Sequence, residues 1–494
     1  MQQPTDTVPL APPERARIPA DLETPVSVFL KLKALGAAFL FESVERGIQM
    51  GRYSFIGLGP RTVISLRDRT ITTERRLPGR GAEVTTSCLD EADPFAAVRA
   101  ELARQARAGG DPGGLPPAYG GAVGFIGYDM VRYFERVPLP ARPGVADLPD
   151  YRFLFPATIA VFDHVRNEIE FLTTPPTDDP DGRRAARAEL QRLLGALHAP
   201  LPADAHRPLG SGEHAVEPRL EANLTRAAYE DAVRRAKEHI LAGDAFQIVL
   251  SQRVTGTTGA EPFRIYRALR ILNPSPYLFF LDFGDTQLVG SSPEMLVRLQ
   301  GRRAQVNPIA GTRRRGATLA EDHALEHELM ADEKERAEHV MLVDLGRNDL
   351  GRVCVQGSVQ VDDFMSVERY SHVMHIVSRV SGEVAPDRDM FDVLAATFPA
   401  GTVSGAPKIR AMGIISSLEP DRRGSYAGAV GYFGRTGDMD MCIAIRTLVM
   451  QQGRFSVQAG AGIVADSDPA REYDETLDKI RALVRAVAIA EQER

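Results

Sequence analysis

The chain has 494 residues, 44% of them hydrophobic and 25% charged, so its composition is that of a globular protein and excludes disordered and fibrous classes. Fifty-nine basic and 66 acidic side chains give a formal charge of −7, which argues against nucleic acid as the main partner. No apolar run reaches the length of a membrane span, and the N-terminus lacks the apolar stretch of a signal peptide. We therefore expect a cytoplasmic protein without membrane contact.

The N-terminal part of the chain predicts short strands after a loose start. Residues 1–20 contain five prolines and no apolar periodicity, so we expect a flexible arm. Further on, 201–219 mixes Pro, Gly, His and Ala without periodicity and is the best candidate for a boundary. Between these segments, strand-like runs closed by Gly, Pro or charged residues occur at Tyr53–Leu58, Thr62–Leu66, Ala122–Ile126 and Ala157–Phe162.

The C-terminal part shows a regular alternation of helices and strands. Thr225 can cap a helix that runs to Ala242, and Gly243 ends it before the strand-like FQIVLSQRV. No internal period of 20 to 50 residues indicates a repeat protein. The pattern is typical of an α+β or α/β protein. Further helices are predicted over 319–340, 389–398 and 471–492, and further strands near 353–361, 371–380, 428–433, 441–450 and 454–459.

Two pairs of glutamates have helical spacing. Glu335 and Glu338 are three residues apart, and so are Glu472 and Glu475. Side chains at this spacing project from one face of a helix, although such a face is more often only solvated. If the two pairs faced each other, their oxygens would suit a hard cation such as Mg²⁺, which often shares oxygens with an anionic substrate.

Small-residue loops could supply an anion site. In PIAGTRRRG (308–316), FPAGTVSGAPK (398–408) and QAGAGIVADSD (458–468), backbone N–H groups can approach an anion closely. No dinucleotide or P-loop signature is present, which favours a carboxylate over a pyrophosphate.

Two further residues leave alternatives open. Arg446 interrupts the strand-like run CIAIRTLVM, where a guanidinium generally pairs with a carboxylate, either of a substrate or of the protein itself. His375 lies in the strand-like HVMHIVSRV, where a lone histidine is more often a satisfied core group than an acid or base.

The assembled motifs resemble the chorismate-utilising enzymes, most closely the large subunits of anthranilate synthases. The resemblance covers nearly all of 220–490, and the N-terminal half adds strings similar to the regulatory half of that family. It is carried by the three loops above and by AGDAFQIVLSQR, GSSPE, LVDLGRNDLGR, YSHVMHIVSRVSGEV, YAGAVGYF, CIAIRT and REYDET, with FLFESVERG, GRYSFIG and GGAVGFIGYD before them.

The resemblance implies the family fold and its division of the chain. We expect an α+β protein with a four-layer α/β/β/α core, in which two orthogonally packed β-sheets have helices outside. Residues 1–20 would be the arm, 21–200 a regulatory region interleaved with the core, 201–219 a linker and 220–494 the chorismate-binding catalytic region.

The resemblance also implies a reaction, the conversion of chorismate and ammonia to anthranilate and pyruvate. Relatives that add water carry a Lys where this chain has Gln247, because water needs a general base. Aminodeoxychorismate synthases usually carry a nucleophilic Lys where this chain has Ala310. Gln247 therefore favours ammonia over water, and Ala310 favours direct attack by ammonia. An aminodeoxychorismate synthase and a non-catalytic tryptophan-sensing module remain the alternatives.

Ammonia would come from a separate glutamine amidotransferase subunit. None of Cys88, Cys354 and Cys442 has the context of a catalytic nucleophile, and the chain leaves no unassigned amidotransferase domain.

The family's functional residues carry over to matching positions in this chain. Glu335, Glu338, Glu472 and Glu475 resemble the Mg²⁺ ligands. Glu294 resembles the acid that protonates the departing hydroxyl, and His375 resembles the group associated with pyruvate elimination, with Gln247 and Thr402 in the same catalytic set. The substrate-binding set comprises Gly311, Thr312, Tyr426, Arg446, Gly460, Ala461, Gly462 and Lys479.

An L-tryptophan feedback site is implied as well, with two departures from the family pattern close to it, Phe41 and Leu278. Its residues would be Glu42, Ser43, Tyr53, Asn273, Pro274, Ser275, Pro276, Tyr277, Val430, Gly431 and Tyr432.

Overall fold

Helices and antiparallel strands alternate along the computed structural model, which describes residues 12–43, 51–76, 81–89, 93–106, 115–140, 142, 148–209, 217–369 and 373–492. The helices are α1 Pro25–Leu32, α2 Ala96–Ala106, α3 Pro180–Leu197, α4 Arg226–Leu241, α5 Pro262–Leu272, α6 Leu319–Ala331, α7 Glu333–Gly351, α8 Met390–Thr397, α9 Lys408–Leu418 and α10 Pro469–Glu491. Short 3₁₀ helices cover Lys33–Leu35, Tyr128–Tyr133, Ala203–His206 and Gly401–Val403.

The strands of the N-terminal half are β1 Glu14–Pro19, β2 Ala37–Glu42, β3 Tyr53–Arg67, β4 Thr70–Arg76, β5 Ala82–Cys88, β6 Ala122–Ile126, β7 Tyr151–Asp163 and β8 Glu168–Thr173. Those of the C-terminal half are β9 Glu221–Ala222, β10 Gln247–Thr257, β11 Tyr277–Asp282, β12 Gln287–Ser292, β13 Met295–Gln300, β14 Arg303–Val306, β15 Ile309–Arg314, β16 Gln360–Arg369, β17 Val373–Glu383, β18 Gly405–Ala406, β19 Ala429–Phe433, β20 Met439–Ile443, β21 Thr447–Gln451 and β22 Arg454–Ile463.

Two long strands, β3 and β7, belong to two sheets at once. They pair with each other along nearly their whole length, with a register shift between Pro60 and Thr62. The half of this ribbon at Tyr53–Leu58 lies in a first sheet with the order β1-β8-β7-β3-β2-β11-β12-β21-β22-β10. The other half lies in a second sheet with the order β5-β4-β3-β7-β6-β19-β20-β13-β14-β17.

Alternate residues of β11 show how the layers are stacked. Leu278 and Phe280 pack in a core cluster with residues of α1, α5 and α10. Phe279 and Leu281 point the other way and pack in a cluster with Val430 of the second sheet. A further cluster joins the outer face of the second sheet to α2, α7 and α8. The order is therefore helices, sheet, sheet, helices, which confirms the predicted α+β fold with four layers.

The regulatory and catalytic regions predicted from the sequence share both sheets. In the first sheet, β2 pairs with β11, and in the second sheet, β6 pairs with β19. The N-terminal half therefore completes sheets that the C-terminal half begins.

The predicted flexible arm is wrong for Glu14–Pro19, which form β1 and pair in register with β8. Arg15 and Arg17 both form ion pairs with Glu170 of that strand, while Ala16 and Ile18 pack against the core on the opposite face. The alternation of charged and apolar residues was the missed signal, and residues 1–11 lie outside the described part.

Three predicted elements in the C-terminal half are interrupted or shifted. The helix predicted over 319–340 is two helices, because the Asp332 side chain accepts hydrogen bonds from the backbone N–H groups of Lys334 and Glu335 and caps α7. The strand predicted near 353–361 begins only at Gln360, after a turn in which Gly357 has a φ of 82°. The strand predicted over 441–450 is divided into β20 and β21, since Arg446 has a φ of 51°.

The predicted linker 201–219 carries local structure in its described part. A 3₁₀ helix covers Ala203–His206, and Arg264 and Arg267 of α5 donate hydrogen bonds to the carbonyl groups of Pro208 and Ala205. Residues 210–216 lie outside the described part.

Close packing in the first sheet gives a test of its interior. An ideal Cβ at Gly290 in β12 would lie 2.1 Å from the Phe279 ring, so Gly290→Ala should destabilise the fold by about 1–3 kcal/mol through overpacking. At Gly413, in α9, nothing lies within 4 Å of an added Cβ. Gly413→Ala should stabilise the fold by about 0.5–1 kcal/mol through helix propensity. Urea unfolding measures both, and equal stability of the two variants would contradict the packing described here.

Candidate active site and a separate cavity

The predicted catalytic residues converge where the N-terminal end of β10 meets α7. Gln247, the first residue of β10, donates from Nε2 to Glu338 Oε1 at 2.9 Å. Its Oε1 is buried without a hydrogen-bond partner among the described residues. An ideal Cβ at Gly462 of β22 would lie 2.7 Å from Gln247 Nε2, so a larger residue there would displace this amide from its present position. The unpaired amide oxygen is available to a ligand.

The glycines of β22 present backbone N–H groups at an open edge. Gly462 and Gly460 lie opposite Val249 and Ser251 of β10. Neither β10 residue donates its N–H group to β22: Val249 donates to the Ser404 carbonyl oxygen and Ser251 to the Glu419 side chain. In an antiparallel pair, the N–H groups of the opposite residues, Gly462 and Gly460, therefore also point away from β10. On that side β21 pairs only with Arg454–Val457, which leaves the edge beside the glycines open to a ligand.

Two cationic side chains adjoin this edge. Lys479 Nζ donates to the Gly460 carbonyl oxygen at 2.8 Å and to Glu475 at 2.6 Å. The Arg446 guanidinium makes no ion pair or hydrogen bond with another described residue. Burial lowers the pKa of Arg446, while Tyr426 and Glu475 act in the opposite direction. No internal ion pair of Arg446 is observed among the described residues, and a half-buried guanidinium without an ionic partner favours an anionic ligand.

Tyr426 also lies beside the glycines. Its hydroxyl oxygen would be 2.7 Å from an ideal Cβ at Gly460. Burial raises the pKa of Tyr426 to about 12, so the phenol is a neutral hydrogen-bond donor at neutral pH.

Glu294 lies in the break between β12 and β13 and accepts a hydrogen bond from Thr402 Oγ1 at 2.7 Å. Burial raises the pKa of Glu294 to about 7, although the Thr402 hydrogen bond and the charge of Lys479 work in the opposite direction. A carboxyl group with a pKa near 7 is about half protonated at neutral pH, which suits proton donation.

His375 faces the PIAGT loop. Its Nδ1 lies 2.9 Å from the Gly311 carbonyl oxygen and 3.0 Å from Thr312 Oγ1. Because a carbonyl oxygen only accepts, the contact with Gly311 assigns a proton to Nδ1. Burial lowers the pKa of His375, which favours the neutral ring. His375 is therefore suited to act as a base.

The four glutamates proposed as metal ligands influence one another. Burial raises the pKa of Glu338, and the negative charges of Glu335 and Glu475 add to this effect. Burial and the charge of Glu475 likewise raise the pKa of Glu472. Within the described ranges, no three acidic, His or Cys side chains are already gathered as a metal cluster. Neighbouring carboxylates that disfavour one another's ionisation would be stabilised by a divalent cation, and their oxygens are the donors that such a cation prefers.

Sequence reasoning missed the residue that orients one of these carboxylates. Arg313 donates to Glu335 at 3.1 Å, and it also pairs with Glu328 and with the capping residue Asp332. Arg313 lies in β15, whereas its partners belong to α6 and to the start of α7, so no local sequence pattern predicts these contacts.

A separate cavity of about 310 Å³ lies between the two sheets, among residues proposed for inhibitor binding. Ser43 lines it, and so does Glu42, which forms an ion pair with Arg270. Asn273, Pro274 and Ser275, which the resemblance also assigns to inhibitor binding, do not line this cavity. Asn273 instead contributes to the turn before β11, where its carbonyl oxygen accepts a hydrogen bond from Ser291. The proposed residues that line the cavity are Glu42, Ser43, Tyr53, Pro276, Tyr277, Val430, Gly431 and Tyr432.

The same cavity contains a polar group that sequence reasoning missed. Arg298 and Asp440, from neighbouring strands, form an ion pair at 2.7 Å, and Tyr277 donates to Asp440 at 3.1 Å. Phe41 and Leu278, the two departures from the family pattern, also line the cavity.

Known proteins resemble this chain in sequence over nearly its whole length. A family model described as chorismate binding enzyme matches residues 37–485. Anthranilate synthase component 1 of Pseudomonas putida is 48% identical over 96% of this chain and 94% of its own length. The corresponding protein of Thermus thermophilus is 47% identical over 97% of this chain and 98% of its own length.

Solved structures agree with the fold. Anthranilate synthase component I of Streptococcus pneumoniae superimposes with a TM-score of 0.76 at 37% identity, over 95% of this chain and 99% of that one. The menaquinone-specific isochorismate synthase of Escherichia coli has a TM-score of 0.71 at 19% identity, over 98% of this chain and 96% of that one, which shows the shared fold alone. Across the described part of this chain, no helix combines the length and apolar character of a membrane span.

Proposed function

This chain belongs to the chorismate-binding enzyme family, and we propose that it converts chorismate and ammonia to anthranilate and pyruvate, the first step of tryptophan biosynthesis. The observation that carries the proposal is the near-full-length identity of 47–48% to anthranilate synthase components. Gln247 supports ammonia over water as the nucleophile, because a buried amide bonded to Glu338 is not a general base. The cytoplasmic location expected from the sequence stays a prediction.

The substrate anion would bind at the open edge of β22. Arg446, Lys479 and the N–H groups of Gly460 and Gly462 would hold chorismate carboxylates, in a place where no described carboxylate forms an ion pair with Arg446. Glu335, Glu338, Glu472 and Glu475 would hold Mg²⁺, which when bound acts as a Lewis acid that orients the ring carboxylate.

Protons would be handled by two residues on different elements. Glu294, with its pKa near 7, would give a proton to the departing 4-hydroxyl as ammonia attacks carbon 2. His375 would then take the carbon 2 proton as pyruvate leaves, and aromatisation makes this elimination favourable.

Ammonia would be supplied by a glutamine amidotransferase partner. The curated relatives are named as component 1, which fits a second component that provides a further activity. A two-component enzyme predicts that purified chain alone uses ammonium salts and does not use glutamine.

An assay of the product tests the proposed function directly. The purified chain is incubated with chorismate, Mg²⁺ and ammonium at mildly alkaline pH. We expect fluorescent anthranilate and pyruvate in equal amounts. Aminodeoxychorismate formed without pyruvate would favour the sibling activity, and no conversion of chorismate would favour the non-catalytic tryptophan-sensing module.

The proposed metal site predicts the behaviour of Glu338→Gln. A neutral amide is a poorer ligand for a hard cation, so turnover should fall at least ~100-fold while the fold is retained. The matched control is Glu333→Gln, which removes the same charge from an exposed position on the same helix and should keep wild-type turnover. Steady-state assays across a Mg²⁺ titration measure both variants. Wild-type turnover by Glu338→Gln at saturating Mg²⁺ would remove Glu338 from the metal site.

We further propose that the 310 Å³ cavity binds L-tryptophan as a feedback inhibitor. The cavity is large enough for an amino acid, and it combines aromatic walls with charged groups. Since inhibitor and substrate would favour different states, each should weaken binding of the other.

Fluorescence offers a direct measurement, because the chain contains no Trp and bound L-tryptophan would be the only indole in the sample. We expect saturable binding that chorismate opposes. Ser43→Phe should fill the cavity and abolish both binding and inhibition with turnover retained, whereas Ser43→Ala, which leaves the space open, should still bind. Unchanged binding to Ser43→Phe would contradict the assignment of this cavity.

A further inference from the structure

A buried ion pair that the proposed chemistry does not use lies behind the candidate active site. Arg423 and Glu419 are 4% and 7% exposed. Arg423 donates from Nε to Glu419 Oε2 at 2.8 Å and from Nη2 to Glu419 Oε1 at 2.6 Å. A buried ion pair is weak evidence for stability, because desolvation offsets much of its attraction. What distinguishes this ion pair is the set of elements that its hydrogen bonds hold together.

The remaining hydrogen bonds of Arg423 join two parts of the site. Nη1 donates to the Val403 carbonyl oxygen at 2.7 Å, and Nη2 donates to the Val249 carbonyl oxygen at 2.7 Å. Val403 directly follows Thr402, which donates to Glu294. Val249 lies in β10, two residues after Gln247. One guanidinium thus connects the Thr402 turn to the strand that begins at the site.

Glu419 anchors the pair to the sheet. Its Oε1 accepts hydrogen bonds from the backbone N–H and the hydroxyl of Ser251, both at 2.8 Å. Ser251 lies opposite Gly460 in the β10–β22 ladder, and Gln458 of β22 donates to the same hydroxyl at 2.8 Å. The pair is therefore fixed to a rigid ladder on one side and to the Thr402 turn on the other.

The Thr402 turn is also held by packing, because Val403 is buried in a core cluster and Gly401 lies against Leu345 of α7, but these contacts leave the direction of the Thr402 hydroxyl unfixed. The turn is a 3₁₀ helix of three residues, Gly401–Val403. Ser404 bonds locally to Ala400 and Gly401, and its carbonyl oxygen accepts from Val249 N at 3.0 Å. We propose that Arg423 and Glu419 form a positioning pair that holds the Thr402 hydroxyl in its hydrogen bond to Glu294. The catalytic meaning of this pair depends on the proposed function, but its effect on Glu294 can be measured without turnover.

The acidity of Glu294 gives the readout. Lys479 is the charged group that acts on Glu294 within the described structure, and the Thr402 hydroxyl is its hydrogen-bond donor. That hydrogen bond favours the ionised carboxylate and lowers its pKa. If Thr402 is released, the pKa of Glu294 must rise, and the proton must be retained to higher pH. A role of Arg423 in stability alone would leave this pKa unchanged.

The test uses Arg423→Lys, which keeps the positive charge but cannot reproduce the guanidinium fork. The pKa of Glu294 is followed in the unliganded protein by infrared absorption of the protonated carboxyl group, with Glu294→Gln as the spectral blank. We expect a rise of about one unit, as for the loss of one hydrogen bond to a carboxylate. Thr402→Val should give the same rise, and the double variant should give no further rise.

The matched control is Arg253→Lys. Arg253 is a buried arginine of β10 that forms an ion pair with Asp421 at 2.9 Å and donates to the Arg422 carbonyl oxygen. Neither bond goes to the Thr402 turn, so the loss of Arg253 should leave the pKa of Glu294 unchanged. If thermal denaturation shows that Arg423→Lys does not fold, Glu419→Gln replaces it with the same expectation.

Three results would overturn the positioning pair. These are an unchanged pKa of Glu294 in Arg423→Lys, an unchanged pKa in Thr402→Val, or an equal rise in Arg253→Lys. The pH dependence of turnover, measured at constant free NH₃, separates the two proposals. If the pKa rises as expected while the basic limb of turnover stays in place, the pair stands and the proposed acid role of Glu294 fails.

Discussion

The candidate active site depends on the ladder between β10 and β22. This antiparallel pairing runs from Ile248 opposite Ile463 to Thr257 opposite Arg454, so it fixes two strands relative to each other over ten residue pairs. At its end, Gln247 reaches α7 and the glycines of β22 turn their N–H groups outward. The proposed anion site depends on this edge, which β21 leaves unpaired because it pairs only with Arg454–Val457 of β22.

The turn at Arg446 is what shortens β21. A positive φ at a non-glycine residue is energetically unfavourable and persists only where the surrounding structure imposes it. Here the turn ends one strand, opens the edge of its neighbour and carries a guanidinium to the opening. A regular strand through this position would have covered the glycines that the site needs.

Charged groups are buried near the site in two different ways. Arg423 and Glu419 satisfy each other and nearby carbonyl groups, so their positions are over-determined. Arg446, in contrast, has no anionic partner in the described structure, and burial raises the pKa of both Glu294 and Glu338. Folding alone would favour neither an unpaired guanidinium nor acids with raised pKa values, which is the usual signature of a ligand site. Paired charges hold the framework, and the charges without an ionic partner lie at the candidate active site.

The cavity and the site are connected by the second sheet. Arg298 and Asp440 line the cavity from β13 and β20, and Glu294 and Arg446 lie just beyond the other ends of these two strands. Val430 of β19 lines the cavity four residues after Tyr426. The strands β13, β19 and β20 therefore carry or adjoin residues of both the cavity and the candidate active site. A ligand in the cavity would contact the strands that position the candidate active site.

The sequence by itself determined the α+β class, the helix that follows Thr225, the spacing of the glutamate pairs and the small-residue loops, because each depends on residues close together in the chain. Long motifs also indicated the family. Only the tertiary structure decided that β1 is a strand, that Asp332 separates α6 from α7 and that Arg446 lies in a turn. It also brought together Arg423 with Val403, Arg298 with Asp440 and Arg313 with Glu335. These contacts join elements far apart in sequence, and the burial that shifts the pKa of Glu294 is a property of the packed layers, which no local pattern encodes.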